Sequence, residues 1–487
     1  RFAFRQGPGR TLLNPPVKVD DGAPTTATLA PRAARGSRGY PLPMDTRELL
    51  ESAAYPRWPI TSAGSLGHVL VTAFGLQRRE PSNAFNDHRA IASVRSKFPV
   101  HVIVVPAGGP AAYLDLYRHA LVALDGVPVD DALRPPPGST AVMLAARYTD
   151  LPTAYARLRG ALCELEIGVN LRSLFQAADL MGVSATLDGR AGVATLGADL
   201  LHATGAGTWG PPALAILGTE PAADATELPA SGPPPREIDR LLDDLAEHWS
   251  VDEAIEYAEP AYGHAGEHTT PGRGLPLHRA VEGGPDWARA LWQRTAGRAP
   301  KGISGFTAVA CSLDAAVPAD LIAFAAVPPP SARMRSIARR VRISVAFQHA
   351  GDLDTGTYLL TGTELTPVRI DAEIMDKVQR QFGYPMTAYG ACGIRHAGAV
   401  FTLSADVGAL IEDHGAGAWS LLQRYCGWVA HGICTAAGAH GLFARPARSF
   451  DEYAMRTAFD LPSAETPVFI VVCGRTQMAE TMLDLRP

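Results

Sequence analysis

One helical stretch occurs twice in this chain, and this repeat constrains the fold more than any other feature. Residues 166–185, EIGVNLRSLFQAADLMGVSA, align without a gap to residues 425–444, YCGWVAHGICTAAGAHGLFA, at an offset of 259. Gly168 then coincides with Gly427, and several other small residues coincide as well. Both stretches are apolar around most of the helical circumference, which is typical of buried helices. The small residues allow close approach of another backbone, and a Gly marks the end of each helix.

The segments around the two helices repeat as well. Each helix is followed by an apolar strand that ends in Gly, at residues 211–218 and 466–474. Each is preceded by a hydrophobic segment, which begins at Thr140 or Gly398. This order predicts two homologous domains fused in tandem, an intramolecular pseudodimer. The alternative is a pair of unrelated Ala-rich core helices.

Strands and helices alternate with hairpin signals along the chain. The patterns predict strands at residues 98–107 and 340–350, a hairpin that turns at Gly351, and a helix at residues 371–382. Hairpins imply antiparallel pairing, so the predicted class is α+β. The predicted organisation is an arm at 1–34, a first domain at 35–218, a linker with a helix at 219–279, and a second domain at 280–487.

Composition excludes several classes of protein. A length of 487 residues, 47% hydrophobic residues and a net charge of −5 are ordinary for an enzyme and predict no surface for nucleic acid. The sequence has no apolar run of the roughly 18 residues that a membrane span needs, and its start does not resemble a signal peptide. The six cysteines form no CxxC pair, so we expect neither a metal site nor a disulfide, and a cytoplasmic location.

Each half contains a short cluster of Arg and hydroxyl residues. The clusters consist of Arg35, Ser37 and Arg38 in RGSRGY, and of Arg294, Thr295 and Arg298 in RTAGR. Guanidinium groups suit a phosphate well, although a surface Arg cluster is the alternative interpretation. The second half also has Arg475 directly after its last strand, where the first half has Thr219 and Glu220.

Each half also contains a turn with a Ser and an Arg. The turns are ASVRSKFPV, with Ser93 and Arg95, and PSARMRS, with Ser331 and Arg333.

A candidate for proton transfer stands thirteen residues before each helix glycine. Tyr155 precedes Gly168 at this distance, and His414 precedes Gly427. Tyr and His side chains both serve in general acid–base catalysis. The alternative interpretations are an ordinary aromatic at a helix start and an ordinary His in a loop.

Taken in this order, these motifs resemble the FMN-dependent nitroreductase family, especially its SagB/McbC/ThcOx-type azoline dehydrogenases. The resemblance covers about residues 35–218 and 280–480. It implies FMN as the cofactor, and oxidation of thiazoline or oxazoline rings to thiazoles or oxazoles in a peptide natural product. The implied substrate is a ribosomal peptide or a peptide bound to a carrier protein, and other biosynthetic enzymes are expected as partners.

The resemblance assigns roles to the motif residues. The Arg clusters hold the FMN phosphate, and the turns lie against the flavin ring from the opposite half. Both turns have Arg where the family has Gly, and Ala154 replaces the Lys that precedes the family's Tyr. The second half has more cations for phosphate. The favoured site therefore combines Arg294, Thr295, Arg298 and Arg475 with Ser93 and Arg95 of the first half, and Tyr155 is preferred over His414 for proton transfer.

Two other functions remain open from the sequence. Loss of the Lys and of the turn Gly in both halves suits a non-catalytic scaffold that binds a peptide or carrier protein. A third hypothesis keeps the flavin and reduces nitro or ene substrates with NAD(P)H. The number of flavins, and any assembly beyond the pseudodimer, are not predicted.

Overall fold

The computed structural model describes residues 38–52, 66–80, 88–152, 155, 158–190, 192–204, 209–218, 226–227, 286–297, 304–306, 308–382, 390–415, 417–476 and 482–486. The predicted arm at 1–34 lies outside these residues, as does the predicted linker at 219–279 except for residues 226–227.

The first half contains mainly antiparallel strands and one long helix. Its elements are β1 (Arg38–Pro41), α1 (Thr46–Ser52), α2 (Leu66–Phe74), β2 (Leu76–Arg79), β3 (His88–Arg89), β4 (Val100–Pro106), β5 (Ala112–Asp115), β6 (Ala120–Ala123), β7 (Ser139–Ala146), α3 (Leu158–Leu180), β8 (Ala185–Leu187), α4 (Val193–Ala203), β9 (Ala213–Gly218) and β10 (Thr226–Glu227).

The second half repeats this plan. Its elements are α5 (Trp287–Gln293), β11 (Ser304–Phe306), α6 (Ala316–Ala325), α7 (Ala332–Ala338), β12 (Val341–Phe347), β13 (Gly356–Thr361), β14 (Glu364–Ile370), α8 (Ile374–Gln381), β15 (Gly390–Cys392), β16 (Ala399–Ala405), α9 (Val407–His414), α10 (Ala418–Ala439), β17 (Phe443–Ala447), α11 (Glu452–Ala458), β18 (Thr466–Gly474) and β19 (Leu483–Asp484).

The two large sheets have the same strand order. The second-half sheet runs β14-β13-β12-β16-β18-β17, and the first-half sheet runs β6-β5-β4-β7-β9-β8 with β1 and β10 added outside β6. Every strand pair within these two sheets is antiparallel. The predicted α+β class and the tandem arrangement of two related domains are therefore confirmed.

The repeated helices cross at their glycines. A Cβ atom built on Gly168 would lie 1.9 Å from the carbonyl oxygen of Arg424, and one built on Gly427 would lie 2.0 Å from that of Leu165. Arg424 stands 259 residues after Leu165, so the two contacts are related by the same offset as the sequence repeat. Helices α3 and α10 therefore meet about a pseudo-two-fold axis. Only Gly permits this approach, because any side chain would overlap a backbone carbonyl.

Both central helices end before the repeated stretches do. Helix α3 ends at Leu180 and Ala185 begins β8, while α10 ends at Ala439 and Phe443 begins β17. The predicted Gly stops are confirmed: Gly182 and Gly441 have φ values of 69° and 65°, the left-handed conformation that ends many helices. The last residues of both stretches are thus strand rather than helix.

The halves are joined by a shared core and by the C-terminal segment. The rings of Phe175 and Trp428, one from each central helix, pack edge to face with centroids 5.9 Å apart. Strand β19 of the second half pairs with β2 of the first, Leu483 opposite Arg79. Within the described part of the chain, no helix has both the length and the apolarity that a bilayer crossing requires.

Candidate functional site

The first-half turn is strained and half-buried. Arg95, Ser96 and Phe98 have φ values of 50°, 52° and 48°, a region that side chains other than Gly rarely adopt. The Ser93 hydroxyl accepts a hydrogen bond from the Phe98 N–H at 2.8 Å, which closes the turn. Non-Gly residues in this region cluster at functional sites, where the surroundings hold them in place.

Glu166 of α3 accepts two hydrogen bonds from this turn. Its Oε1 accepts hydrogen bonds from the Ser93 hydroxyl at 2.8 Å and from the Val94 N–H at 2.7 Å. Burial raises the pKa of Glu166 to about 8, against the opposing effect of these two donors and of Arg89. Its Oε2 is buried and has no hydrogen-bond partner among the described residues.

Tyr155 lies beside the same turn. The Arg95 guanidinium lies 5.5 Å from the centroid of the Tyr155 ring, within the range of a cation–π contact. Both side chains are half-buried and are therefore partly open to solvent. The structure thus brings together Ser93, Arg95 and Tyr155, three residues that the sequence assigned to one site.

Arg294 joins this region from the second half. It follows α5, and its Nη2 donates to the carbonyl oxygen of Arg89 at 3.0 Å. In the other direction, Arg78 of β2 donates to the carbonyl oxygen of Arg294 at 3.3 Å. Burial lowers the pKa of Arg294 to about 10, and its Nε has no partner among the described residues. Arg294 therefore lies next to the segment that leads into the Ser93 turn.

A buried acid supports the cations at this contact. Glu80 accepts from the Arg78 Nε at 3.0 Å, and its second oxygen lies 3.1 Å from the His88 Nε2. The pKa of His88 is lowered, chiefly by burial and also by the positive charges of Arg78 and Arg294.

Thr295 and Arg475 lie at the same end of the second-half sheet. The Thr295 carbonyl accepts from the Ala444 N–H of β17 at 2.9 Å. Arg475 follows β18, and its exposed side chain is next to Gly474, which pairs with Phe443 of β17. Both residues, which the sequence assigned to one site, therefore lie at one end of this sheet.

The loop around Thr295 is braced by a residue that the sequence did not indicate. Arg445 Nη1 donates to the carbonyl oxygens of Ala296 and Gly297, both at 3.1 Å. Gly297 has a φ of 73°, and a Cβ on it would lie 2.9 Å from the Phe443 ring. Arg298 lies outside the described residues.

Two further residues in the interior, Arg172 and His431, have nitrogen atoms without hydrogen-bond partners among the described residues. Arg172 of α3 is buried with its guanidinium 4.8 Å from the centroid of the Trp428 ring, and its Nε and Nη1 have no partners among the described residues. The same is true of both ring nitrogens of His431. Burial and the charges of Arg172 and Arg294 lower the pKa of His431 to about 3. Unpartnered buried donors are what a phosphate requires, so the residues present fit an anionic cofactor.

The second-half turn is built differently. The Ser331 hydroxyl accepts from the Met334 N–H at 3.0 Å and caps α7, while Arg333 lies within that helix. His414 ends α9, and its Nε2 lies 3.2 Å from the hydroxyl of Ser336 in α7. His414 is thus beside the turn of its own half, as Tyr155 is beside the other.

The first-half Arg cluster lies elsewhere. Arg38 is exposed on β1, near the outer edge of the first-half sheet. Strands β6, β5, β4 and β7 stand between β1 and β9, whose end would correspond to the Arg475 position. The structure does not bring Arg38 to that strand end, and Arg35 and Ser37 lie outside the described residues.

Neither a family model nor a curated protein matches this sequence. Among solved structures, a protein from Anabaena variabilis assigned as a nitroreductase is similar, with a TM-score of 0.55 at 16% identity, over 84% of this chain and 87% of that one. A protein from Ralstonia eutropha with the same assignment covers 39% of this chain and 83% of its own, at 14% identity and a TM-score of 0.28. The E. coli microcin synthetase McbBCD complex with truncated pro-MccB17 bound matches 34% of this chain and 65% of that chain, at 10% identity and a TM-score of 0.29.

The match to the Anabaena structure includes both halves of this chain. A match over 84% of these residues must include both halves, because neither half alone is that long. The strand order and the crossing of α3 with α10 agree with this match. The chain therefore has the nitroreductase fold, present in two copies that form one tandem molecule.

Proposed function

We propose that this chain is an FMN-dependent oxidoreductase that dehydrogenates thiazoline or oxazoline rings in a peptide natural product. The observation that supports this most is the hydrogen bond from Arg294 of one half to the Arg89 carbonyl of the other. Arg89 lies on the segment that leads into the strained Ser93–Phe98 turn, and Tyr155 lies beside that turn. Composite sites of this kind suit a fold whose two copies face each other.

The phosphate end of the proposed site lies in the second half. Arg294 supplies a buried guanidinium with an unpartnered Nε, and Arg475 supplies an exposed one at the end of β18. Thr295 follows Arg294 on the loop to which Arg445 donates two hydrogen bonds. Arg298 is assigned here on the sequence alone. Guanidinium groups bind phosphate through paired, charge-assisted hydrogen bonds.

The ring end of the proposed site lies in the first half. The Ser93–Phe98 turn presents half-buried side chains, with Arg95 as the nearby positive charge. Ser331 and Arg333 form the corresponding turn of a second site, for which Arg35, Ser37 and Arg38 are the sequence-based phosphate candidates. When bound, FMN supplies the acceptor for the two electrons that leave the azoline ring.

Tyr155 is the proposed proton-transfer group. Ring oxidation also releases a proton from the carbon next to the carbonyl. The Tyr155 oxygen accepts it after the Tyr155 hydroxyl has given its own proton to solvent, and the hydroxyl is thereby restored. Arg95 balances the negative charge that the Tyr155 oxygen carries after proton loss. Both side chains are partly exposed, so a substrate held on a peptide or on a carrier protein can approach them from solvent. We place this chemistry in the cytoplasm, alongside other enzymes of peptide modification.

The test begins with the absorption spectrum of the purified protein after incubation with FMN. The expected result is a retained flavin, followed by flavin bleaching when an azoline-containing peptide is added without oxygen. A colourless protein that binds no FMN would overturn the proposal in favour of a peptide-binding scaffold. Turnover of nitro or ene substrates with NAD(P)H, without azoline oxidation, would replace it with a reductase.

A further inference from the structure

Glu166 is a buried acid whose side-chain hydrogen bonds to described residues go to one turn. It has 5% of its surface exposed, and one carboxylate oxygen receives both the Ser93 hydroxyl and the Val94 N–H. The same Ser93 hydroxyl receives the Phe98 N–H. A continuous chain of hydrogen bonds therefore runs from α3 through Ser93 to the end of the turn.

This chain of hydrogen bonds holds a conformation that the local sequence does not favour. Three non-Gly residues of the turn, Arg95, Ser96 and Phe98, have positive φ. L-residues rarely adopt this conformation unless their surroundings impose it. The Arg89 guanidinium lies 4.2 Å from the Phe98 ring centroid and adds a contact at the far end.

The second half provides a natural comparison. The residue that corresponds to Glu166 at the repeat offset is Tyr425, which is buried in α10. There the turn Ser caps its own helix through the Met334 N–H, and α7 follows directly. The acid and the strained turn therefore occur together in one half and are both missing from the described residues of the other.

We propose that Glu166 is the positioning residue that holds the Ser93–Phe98 turn in the conformation that contacts the flavin. This inference rests on the proposed function, and it adds a residue that neither the sequence motifs nor the fold assigns. Glu166 acts through Ser93 and Val94 and is not itself a catalytic residue.

Amide hydrogen exchange of the flavin-free protein tests the positioning role. In Glu166→Ala, exchange at the Val94 and Phe98 amides should rise at least about tenfold, because a charged or buried hydrogen-bond acceptor is lost. Glu166→Gln should restore protection, since an amide oxygen can accept from both donors. Ser331→Ala is the matched control: it should raise exchange at Met334 and leave the first-half turn unchanged.

FMN affinity, measured by titration on the same variants, tests the link to the flavin. We expect Glu166→Ala to weaken binding by about tenfold and Glu166→Gln to retain it. Unchanged exchange in a folded Glu166→Ala chain would overturn the positioning role. Raised exchange with unchanged FMN affinity would overturn contact between this turn and the flavin.

Two further results distinguish failure of the positioning role from failure of the proposed function. If Glu166→Ala does not fold, Ser93→Ala decides: protection should be lost at Phe98 and kept at Val94, and retained protection at Phe98 would overturn the proposal. A wild-type chain that binds no FMN would overturn the proposed function. The exchange data would then support or overturn, by themselves, the role of Glu166 in holding the turn.

Discussion

The two halves share a fold but differ in the turns that contain Ser93 and Ser331. In the second half, Ser331 caps a regular helix over residues 332–338. In the first half, the corresponding segment around Ser93 carries three positive φ values and is held by a buried acid from α3. The same position in the fold is thus relaxed in one copy and strained in the other.

The difference indicates which copy is specialised. Backbone strain costs about 1–3 kcal/mol for each such residue and persists only where surrounding contacts impose it. Glu166 provides such contacts in the first half, and the Tyr425 position has no equivalent acid. A fused pair of domains allows this divergence, because each copy is encoded separately whereas an ordinary homodimer must keep both turns alike.

The largest expected effect is a loss of unfolding free energy when the helix crossing, where the two halves are most alike, is changed. Gly168→Ala and Gly427→Ala each place a methyl group about where a backbone carbonyl oxygen already lies. Overpacking typically costs 1–3 kcal/mol, and we expect about 3 kcal/mol or more here because a backbone must move. Chemical denaturation measures the free energy of unfolding of each variant.

The control for this pair is Gly108→Ala, because nothing lies within 4 Å of a Cβ at that position. It should leave the free energy of unfolding almost unchanged. A large loss for Gly168→Ala with none for Gly427→Ala would show that the crossing lacks the two-fold relation.

The next largest effect is a loss of unfolding free energy at low pH, which arises from His431 in one of the two central helices. Arg172 of α3 corresponds at the repeat offset to His431 of α10, whose pKa is lowered to about 3, first by burial and then by Arg172 and Arg294. As pH falls below the ordinary His pKa of about 6.5, His431 takes up a proton in the unfolded chain but not in the folded chain. The His431 contribution to stability is therefore complete near neutral pH and is lost on acidification, by about 2–3 kcal/mol between pH 6.5 and 4.

Comparison of His431→Asn with the wild type isolates this contribution from the titration of carboxylates. The wild type should lose more unfolding free energy than the variant over that pH range. His396→Asn, a change at an exposed His, should follow the wild type. Parallel pH curves for wild type and His431→Asn would contradict the assignment.

A third prediction concerns which half holds the phosphate. Arg294→Ala removes a buried cation, and the FMN dissociation constant should rise about 10- to 100-fold, since a hydrogen bond to a charged group contributes about 1.5–3 kcal/mol. Arg475→Ala should have a smaller effect, because that side chain is exposed. Flavin titration with each variant gives the comparison.

Arg38→Ala is the counterpart from the first half. It should leave FMN affinity unchanged, because Arg38 lies near the outer edge of its sheet. Weakened binding in Arg38→Ala together with normal binding in Arg294→Ala would move the phosphate to the first half.

The features that the sequence predicted are those that depend on local pattern or on backbone contact. Gly168 and Gly427 were identifiable because only Gly fits a helix crossing of this closeness, which leaves a gapless repeat of small residues. The terminal strand at Thr466–Gly474 was predicted at its observed bounds, because it is a continuous apolar run.

The features that the sequence did not predict depend on tertiary contacts. Glu166 meets Ser93 across 73 positions of the chain, and no spacing rule relates the two. Arg445 of β17 likewise donates to the loop that contains Thr295, although the two lie far apart in the sequence. The predicted helix stop at Gly441 is confirmed, but strand β17, which begins at Phe443, was not predicted.

The smallest expected effect concerns the two proton-transfer candidates, Tyr155 and His414. Tyr155→Phe should keep FMN affinity and slow azoline oxidation by at least about tenfold, a cautious figure for loss of a general acid–base group. The phenyl ring retains the contact with Arg95, so only the hydroxyl is removed. His414→Ala should slow the reaction less, because His414 lies beside the relaxed turn and its Nε2 is within hydrogen-bonding distance of Ser336. Single-turnover flavin reduction by an azoline-containing peptide measures both variants. An unchanged rate for Tyr155→Phe with a large loss for His414→Ala would place the active site at the second-half turn, and would show that strain in the first half does not mark the working copy.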